Sequence, residues 1–345
     1  MDFGKIVLAV SALLPAAVLC FYVYRKDRVE KEPAGFLILL LALGALTSVP
    51  VLLVSPYING IIDAVFSLFG TKVDGEVFLS SGMYNVYLFI SNTVGVGCIE
   101  EGFKWLVLFF VTRNSKHFNS FFDGLIYSVF VSLGFAGLEN ILYSFNYGFS
   151  TAVARAFTAV PGHMFFGVIM GTFYSMWNVK NEAAKLENAF KRKGVMKVTS
   201  LISGKPELIL SYVLPVLAHG FYDYLCSKQT VLSTIIFYVF LIILYITQFV
   251  RISKMSKQDA DEIGYAISLV CKKYPAVKAL VDAAANQVSQ TPEKPAPVTP
   301  SGVRRTHSFN DFEFVSPKAE EAPEFTPSSQ KRPFKVYIDD SDFTG

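Results

Sequence analysis

Residues 231–250 of the chain read VLSTIIFYVFLIILYITQFV, twenty successive residues without one charged side chain. A helix needs about 20 predominantly apolar residues to cross a hydrocarbon core that is roughly 30 Å thick. The segment therefore has the length and composition of a membrane-spanning helix. The other segments of the chain are therefore expected to belong to a membrane protein as well.

Further apolar segments of similar length lie at residues 6–24, 36–54, 85–112, 121–145, 155–177 and 208–226. Residues 58–69 are apolar but too short to span, which indicates an interfacial or re-entrant piece. Charged residues make up 17% of the chain, whereas soluble domains contain about 25%. The sequence predicts an all-α, polytopic transmembrane helical bundle of about seven spans over residues 1–253.

Positive charge is concentrated in alternate loops between the predicted spans. The first, third and fifth loops carry Arg25, Lys26, Arg28 and Lys31, then Arg113 and Lys116, then seven lysines and arginines between positions 180 and 205. The other three loops carry Lys72 and Lys228, with Arg155 at a span edge. Because cytoplasmic loops are enriched in Lys and Arg, we expect a multi-pass protein of the cell membrane. Its N-terminus is expected outside and its C-terminus in the cytoplasm.

The chain after the last predicted span divides into two parts. Residues 254–288 have apolar positions at roughly helical spacing, which predicts short helices at the membrane surface. Residues 289–345 are dominated by Pro, Ser, Thr and charge, and such a segment cannot bury enough apolar surface to fold. We therefore expect a largely disordered cytoplasmic tail. The net charge of +3 is too small to indicate a nucleic-acid partner.

Several ionisable residues lie inside the predicted spans, where they are energetically costly and require an explanation. They occur in CIEEGFKWLVLFF (98–110), FAGLENILY (135–143), PGHMFFG (161–167) and AHGFYDYL (218–225), and they are Glu100, Glu101, Lys104, Glu139, His163, His219 and Asp223. Glu100 and Lys104 are four residues apart and so share a helix face, while Glu101 competes for the same lysine. Asp223 has the spacing of a carboxylate that orients the His219 imidazole.

The depth of these residues argues that they form one site. At 1.5 Å per helical residue, Glu139, His163 and His219 all lie roughly 10 Å below the outer surface, with Glu100 somewhat deeper. Each residue alone also has a structural explanation, such as an interhelical tie for Glu100 or a packing role for Asn140. The convergence of four spans on one layer favours a functional site.

These motifs resemble the PrsW family of intramembrane proteases, which is grouped with the CAAX prenyl endopeptidases and the scaffold subunit of gamma-secretase. The resemblance rests on Glu100-Glu101-x-x-Lys104, Phe135-x-x-x-Glu139-Asn140, His163-x-x-x-Gly167 and His219-x-x-x-Asp223, and it covers a motif core at residues 85–226. CAAX enzymes typically have a histidine where Glu139 stands, so cleavage of prenylated proteins is less favoured.

The resemblance implies an endopeptidase that cleaves single-span proteins anchored in the lipid bilayer, such as anti-sigma factors, near their outward-facing side. It implies a catalytic set of Glu100, Glu101, Glu139, His163 and His219, supported by Lys104, Asn140 and Asp223. Glu100, with Glu139 or His163, would activate water. His219, oriented by Asp223, would stabilise the oxyanion, and Lys104 would hold the first glutamate. This mechanism needs no cofactor.

Two other classes of function remain open at this point. The residues Glu100, Glu139, His163 and His219 have ligand types that could bind zinc, which would make the protein an intramembrane metalloprotease. The sequence has no His-Glu-x-x-His motif, so the zinc hypothesis depends on ligand types alone. A non-enzymatic scaffold or a proton-coupled transporter is the second alternative, although no internal repeat typical of transporters is visible.

Overall fold

We describe the protein from a computed structural model. The structure describes residues 3–28, 30–73, 76–192, 202–259, 262–279 and 281, and the backbone of residues 334–337. The main unit comprises Met1–Lys273 and Arg332–Gly345. A second unit comprises Tyr274–Lys331, of which residues 275–279 form a short helical segment.

The described chain is almost entirely helical, with three short strands. The helices are α1 (Phe3–Lys26), α2 (Ala34–Leu46), α3 (Ser48–Ser67), α4 (Ser81–Ile90), the π-helix π1 (Ser91–Gly97), α5 (Cys98–Thr112), α6 (Asp123–Tyr147), α7 (Phe149–Phe157), α8 (Ala159–Arg192), α9 (Lys205–Lys228), α10 (Val231–Lys257) and α11 (Glu262–Lys273). The strands are β1 (Thr71–Val73), β2 (Glu76–Ser80) and β3 (Phe334–Tyr337). The predicted all-α transmembrane class is confirmed.

Six helical segments among the described residues are long and apolar enough to cross a membrane. They are Phe3–Lys26, Ala34–Ser67, Asp123–Tyr147, Phe149–Arg192, Lys205–Lys228 and Val231–Lys257. The predicted span 85–112 is instead divided among α4, π1 and α5, which follow one another without a break. The predicted interfacial piece 58–69 is wrong in its boundaries, because residues 58–67 continue α3.

Helix α6 lies at the centre of the bundle and packs against α1, α2, α5 and α8. Small residues allow this packing: a Cβ added to Gly134 would lie 2.0 Å from the Leu41 carbonyl oxygen, and one added to Gly44 would lie 2.1 Å from that of Val131. Close backbone approach at small residues is the usual means of helix association in membranes. Gly134 is therefore a close-packing position between α6 and α2.

The strands and the last helix lie outside the apolar bundle. Strands β1 and β2 form an antiparallel hairpin, and β3 pairs with β2 in parallel. Helix α11 packs against α8 and buries Ala266 and Val270. Apart from β3, the predicted disordered tail at 289–345 lies outside the described residues, so its disorder stays a prediction.

Candidate active site

The π-helix π1 leads directly into the two glutamates of α5. A π-helical segment inserted before an α-helix is frequently found at functional sites. A Cβ on Gly97, the last residue of π1, would lie 3.0 Å from the Val216 carbonyl oxygen, so only a small residue allows α9 to approach so closely. Trp105 on α5 also donates a hydrogen bond to Ser211 on α9, at 2.9 Å. These contacts place His219 of α9 beside the glutamates.

Glu101 is the buried centre of a charge network. Its side chain is 0% exposed, and its Oε1 lies 2.7 Å from Lys104 Nζ and 2.8 Å from His219 Nδ1. The Lys104 ammonium is also fully buried and lies 4.2 Å from the centroid of the Phe135 ring. Burial of charged groups is tolerated only when each charge has a close partner. Glu101 and Lys104 therefore hold each other and orient His219.

Glu100 occupies a different position from its neighbour. Its side chain is 10% exposed, and its Oε2 lies 3.8 Å from both Lys104 Nζ and His219 Nε2. Both distances are too long for hydrogen bonds. The buried Oε2 atom has no hydrogen-bond partner among the described residues. Glu100 is thus a carboxylate held near two cationic or donor groups but bound to neither.

Glu139 and His163 form the second half of the site. Glu139 Oε2 lies 2.8 Å from His163 Nε2 and 2.7 Å from Arg155 Nη2. The other imidazole nitrogen, Nδ1, lies 3.1 Å from Lys104 Nζ. A lysine ammonium can only donate, so Nδ1 accepts and the proton of a neutral His163 ring lies on Nε2, from which it is donated to Glu139. Lys104 therefore joins both halves of the site.

The remaining predicted residues lie at the edge of this network. Asp223 Oδ2 is 3.3 Å from His219 Nε2, as its i, i+4 spacing predicts. Asn140 contacts neither glutamate of α5 in the hydrogen bonds observed; its Nδ2 donates to the Ala12 carbonyl at 2.8 Å and its Oδ1 accepts from Arg155. The aromatic ring of Phe166 stacks on His219, with ring centroids 4.8 Å apart. Asn140 thus supports Arg155 and ties α6 to α1.

The structure brings the predicted catalytic residues into one connected cluster, namely Glu100, Glu101, Glu139, His163 and His219. Two details differ from the sequence prediction. Lys104 pairs with Glu101 and not with Glu100: its ammonium lies 2.7 Å from the Glu101 carboxylate at i, i+3 spacing and 3.8 Å from the Glu100 carboxylate at i, i+4 spacing. His219 has Glu101 as a nearer partner than Asp223.

Three of these residues also have the arrangement of a metal site. One ligand atom each from Glu100, His163 and His219 lies within 4.8 Å of the others. One carboxylate and two imidazoles are a common ligand set of catalytic zinc, and Glu101 on His219 Nδ1 matches the outer carboxylate that orients a zinc-bound histidine. Glu100 Oε2, which has no hydrogen-bond partner among the described residues, suits the role of the carboxylate ligand. The residues therefore fit a metal, although both ring nitrogens of His163 already have partners, Lys104 at Nδ1 and Glu139 at Nε2.

Arg155 is the site residue that sequence reasoning missed. It was assigned to the edge of a span, whereas the structure places it in the separate helix α7 with an ion pair to Glu139. A signal was available in the loop charges. The predicted outer loops contain few positive residues, so an arginine at the outer edge of a span is unusual. Its position, eight residues before His163, indicates a carboxylate partner near the site.

Comparison with known proteins identifies the family. A family model described as PrsW family intramembrane metalloprotease matches residues 32–248, which include every site residue above. The chain is 32% identical over 217 residues to Protease PrsW of Halalkalibacterium halodurans, covering 63% of this chain and 81% of the relative. It is 29% identical over 247 residues to Protease PrsW of Oceanobacillus iheyensis, covering 72% and 95%.

Protease PrsW of Bacillus subtilis is 30% identical over 229 residues, which are 66% of this chain and 85% of the relative. No solved structure matches the chain. Since the family model covers more than half of the residues and the relatives are matched over most of their length, the chain belongs to the PrsW family of intramembrane proteases.

Proposed function

We propose that the protein is an intramembrane endopeptidase that hydrolyses single-span membrane proteins with water activated by Glu100. One observation carries this proposal: Glu100 Oε2 is buried and unpartnered among the described residues, 3.8 Å from Lys104 and from His219. Separations of this size between polar groups suit a bridging water. A water molecule held there can transfer a proton to the Glu100 carboxylate as it attacks.

The complete reaction involves two proton transfers and the stabilisation of one oxyanion. The water oxygen bonds to the peptide carbonyl carbon, its proton passes to Glu100, and the carbonyl oxygen becomes an oxyanion. Because Nδ1 donates to Glu101, the oxyanion donor is Nε2 of a doubly protonated His219 ring, beside Glu100 and Asp223. Glu100 then returns its proton to the peptide nitrogen as the C–N bond breaks, which releases a carboxylic acid product, ionised on its release into water, and an amine product.

The other residues position these groups. Glu101 fixes the His219 ring through Nδ1, and Lys104 pairs with Glu101 and lies 3.8 Å from Glu100. Glu139 and His163 hold Lys104 from the opposite side. Residues whose geometry is fixed by packing and by secondary hydrogen bonds reduce the reorganisation that the reaction requires.

Metal-dependent hydrolysis is the second candidate, favoured by the 4.8 Å cluster of Glu100, His163 and His219. These residues would hold the metal, which supplies Lewis acidity and a more acidic water when bound. The matching family model, PrsW family intramembrane metalloprotease, points the same way. Glu101 would then orient His219, and either Lys104 would release His163 Nδ1 or Glu139 would release His163 Nε2.

The two mechanisms differ in their response to Lys104→Met. A metal would bind His163 through the lone pair of Nδ1 or of a deprotonated Nε2. Removal of the Lys104 ammonium, which contacts Nδ1, should therefore leave the zinc affinity unchanged or increase it. The glutamate mechanism needs the lysine and predicts loss of cleavage. The test is cleavage of a reconstituted single-span protein by purified wild type after exhaustive chelation, together with zinc titration of wild type and Lys104→Met. Full activity after chelation excludes the metal mechanism, and recovery by added zinc excludes the metal-free one.

We further propose that the N-terminus lies outside and the C-terminus in the cytoplasm, with α4, π1 and α5 as one of seven crossings. Contacts between helix ends support this arrangement. Asn119 accepts a hydrogen bond from the Glu262 backbone at 2.8 Å, on the proposed cytoplasmic side. Ser227 donates to Asn92 at 3.2 Å, on the opposite side. The loop charges agree with this assignment.

The pairing of β3 with β2 conflicts with this topology. Seven crossings place the β1–β2 hairpin outside and the tail that carries β3 inside, so the two strands could pair only if the tail reached the outer side. We retain seven crossings, because the loop charges and the helix-end contacts are independent of the tail. The substrates proposed from the family resemblance, anti-sigma-like proteins, would be cut in the outer half of the membrane.

A further inference from the structure

Asn59 is a buried polar residue inside the membrane-spanning helix α3, where a polar side chain is costly and needs a reason. Its side chain faces the π-helix π1, which packs against α3. Asn59 Oδ1 accepts a hydrogen bond from Ser91 Oγ at 3.0 Å, and its Nδ2 donates to the Gly95 carbonyl at 3.4 Å and to the Ser55 carbonyl of its own helix at 3.0 Å. One amide therefore contacts π1 at two positions, four residues apart.

The backbone of π1 leaves no room for a side chain beneath this amide. A Cβ added to Gly95 would lie 2.1 Å from Asn59 Oδ1 and 2.8 Å from its Cγ. At Gly60, the next residue of α3, nothing lies within 4 Å of an added Cβ. The tight contact is thus local to Asn59 and Gly95, where the missing side chain lets the amide reach the π1 backbone.

The same π-helix also packs against α9, beside the histidine of the site. A Cβ added to Gly220, the residue after His219, would lie 2.4 Å from Thr93 Oγ1. The contact of Gly97 with the Val216 carbonyl is the second close approach between these two helices. Helix π1 therefore touches α3 through Asn59 and touches α9 next to His219, immediately before α5 begins.

The hydrogen-bond pattern of π1 sets the rotation of the first turn of α5, which carries Glu100 and Glu101. The Cys98 N–H bonds to the Thr93 carbonyl, five residues back, whereas an α-helix bonds four residues back. A π-helical segment thus takes up one extra residue. One residue of α-helix corresponds to about 100° of rotation and about 1.5 Å of rise. If π1 became α-helical, Glu100 would move to about the place that Glu101 holds.

We propose that Asn59 is a positioning residue that holds π1 in its π-helical form. Through π1 it directs Glu101 into the buried charge network and leaves Glu100 at the position proposed for the attacking water. The observed hydrogen bonds of Asn59 go to backbone and hydroxyl groups of α3 and π1, so its effect on the reaction is indirect. The inference rests on the proposed function for its catalytic meaning, whereas the form of π1 can be measured without substrate.

The peptide bond between Gly97 and Cys98 reports the form of π1. It is the only Gly-Cys bond in the sequence, so protein labelled with 13C-carbonyl glycine and 15N-cysteine gives one selected NMR signal. The Cys98 N–H that produces this signal is the donor of the π-helical hydrogen bond. In lipid without substrate, Asn59→Leu should shift the signal from its wild-type position, because the amide that holds π1 is lost.

The matched control is Gln248→Leu. Gln248 is also a buried amide, 5% exposed, in the membrane-spanning helix α10, and its observed hydrogen bond goes to the preceding residue of its own helix. Gln248→Leu should leave the Gly97–Cys98 signal unchanged. A shift of equal size in this control would show that the signal responds to any lost buried amide, and it would overturn the inference.

Cleavage kinetics give the second readout. Asn59→Leu should lower kcat about 10²-fold, since a misplacement of about 1 Å can cost that much, and KM should change little because the buried amide faces π1. If Asn59→Leu does not fold, Gly95→Ala disturbs the same contact from the π1 side and should give the same two changes. Gly60→Ala is its control, because an added Cβ there meets open space.

A folded Asn59→Leu or Gly95→Ala with the wild-type Gly97–Cys98 signal overturns the inference. A shifted signal with wild-type kcat also overturns it, because π1 would then not position the glutamates. Absence of cleavage by wild type would instead refute the proposed function, while the NMR signal would still decide whether Asn59 holds π1.

Discussion

Removal of the Lys104 ammonium tests whether the buried charges form one energetic unit. Lys104 is fully buried, lies 2.7 Å from Glu101, 3.8 Å from Glu100 and 3.1 Å from His163, and contacts the Phe135 ring. In Lys104→Met the buried Glu101 carboxylate loses its nearest cation. Breaking such a pair from one side typically costs about 3–5 kcal/mol. At roughly 2–4 °C per kcal/mol for a domain of this size, the unfolding midpoint should fall by roughly 6–20 °C.

The assay is thermal unfolding in detergent, followed by tryptophan fluorescence. Lys185→Met is the control, because the Lys185 side chain is 65% exposed and pairs only at the surface with Glu182, where such pairs contribute about 0.2–1 kcal/mol. The loss in Lys104→Met should shrink at low pH, since protonation removes the negative charge left unpaired. A midpoint equal to that of Lys185→Met at neutral pH would refute the description of the site as a coupled charge network.

Three further predictions concern packing, pH and topology. Gly134→Ala should lower the unfolding midpoint in the thermal assay, because its Cβ would lie 2.0 Å from a carbonyl oxygen of α2, whereas Gly35→Ala should be nearly neutral, since nothing lies within 4 Å of its Cβ. Glu32 lies outside the spans, and burial raises its pKa from 4.5 to about 8. Between these two pH values the folded protein binds a proton that the unfolded chain has lost, so the free energy of unfolding should fall as pH rises from about 4.5 to about 8. Glu32→Gln should flatten this pH dependence of stability. In sealed cells, a cysteine at Lys72 should react with an impermeant reagent and one at Lys191 should not; the reverse pattern would invert the topology.

The sequence predicted the fold class because membrane spans are determined by length and apolarity, which are local properties. It could not predict the division of residues 85–112 into α4, π1 and α5. The segment contacts α9 at Gly97, and that contact joins positions more than 100 residues apart, which local sequence patterns do not reveal. The same limit explains the boundary of α3, since apolarity does not distinguish a continuing helix from an interfacial one.

The site residues were predictable in identity but not in their pairing. Ionisable groups inside spans were conspicuous, and helical spacing gave two candidate carboxylates for Lys104. The spacing could not decide between them, because i, i+3 and i, i+4 neighbours are both within reach. The choice of Glu101 follows from tertiary contacts to His219 and His163. Arg155 was missed because its partner Glu139 lies on a different helix.

Cleavage by Glu100→Gln, compared with wild type and Glu101→Gln, tests the central claim most directly. The assay uses purified proteins reconstituted with a single-span substrate, with unfolding midpoints measured in parallel. Among the described residues Glu100 Oε2 has no hydrogen-bond partner, so Glu100→Gln should keep the wild-type midpoint while cleavage falls about 10²–10⁴-fold. Glu101→Gln should instead lower the midpoint, because it weakens the contacts to Lys104 and His219. Wild-type cleavage by a folded Glu100→Gln would contradict the account.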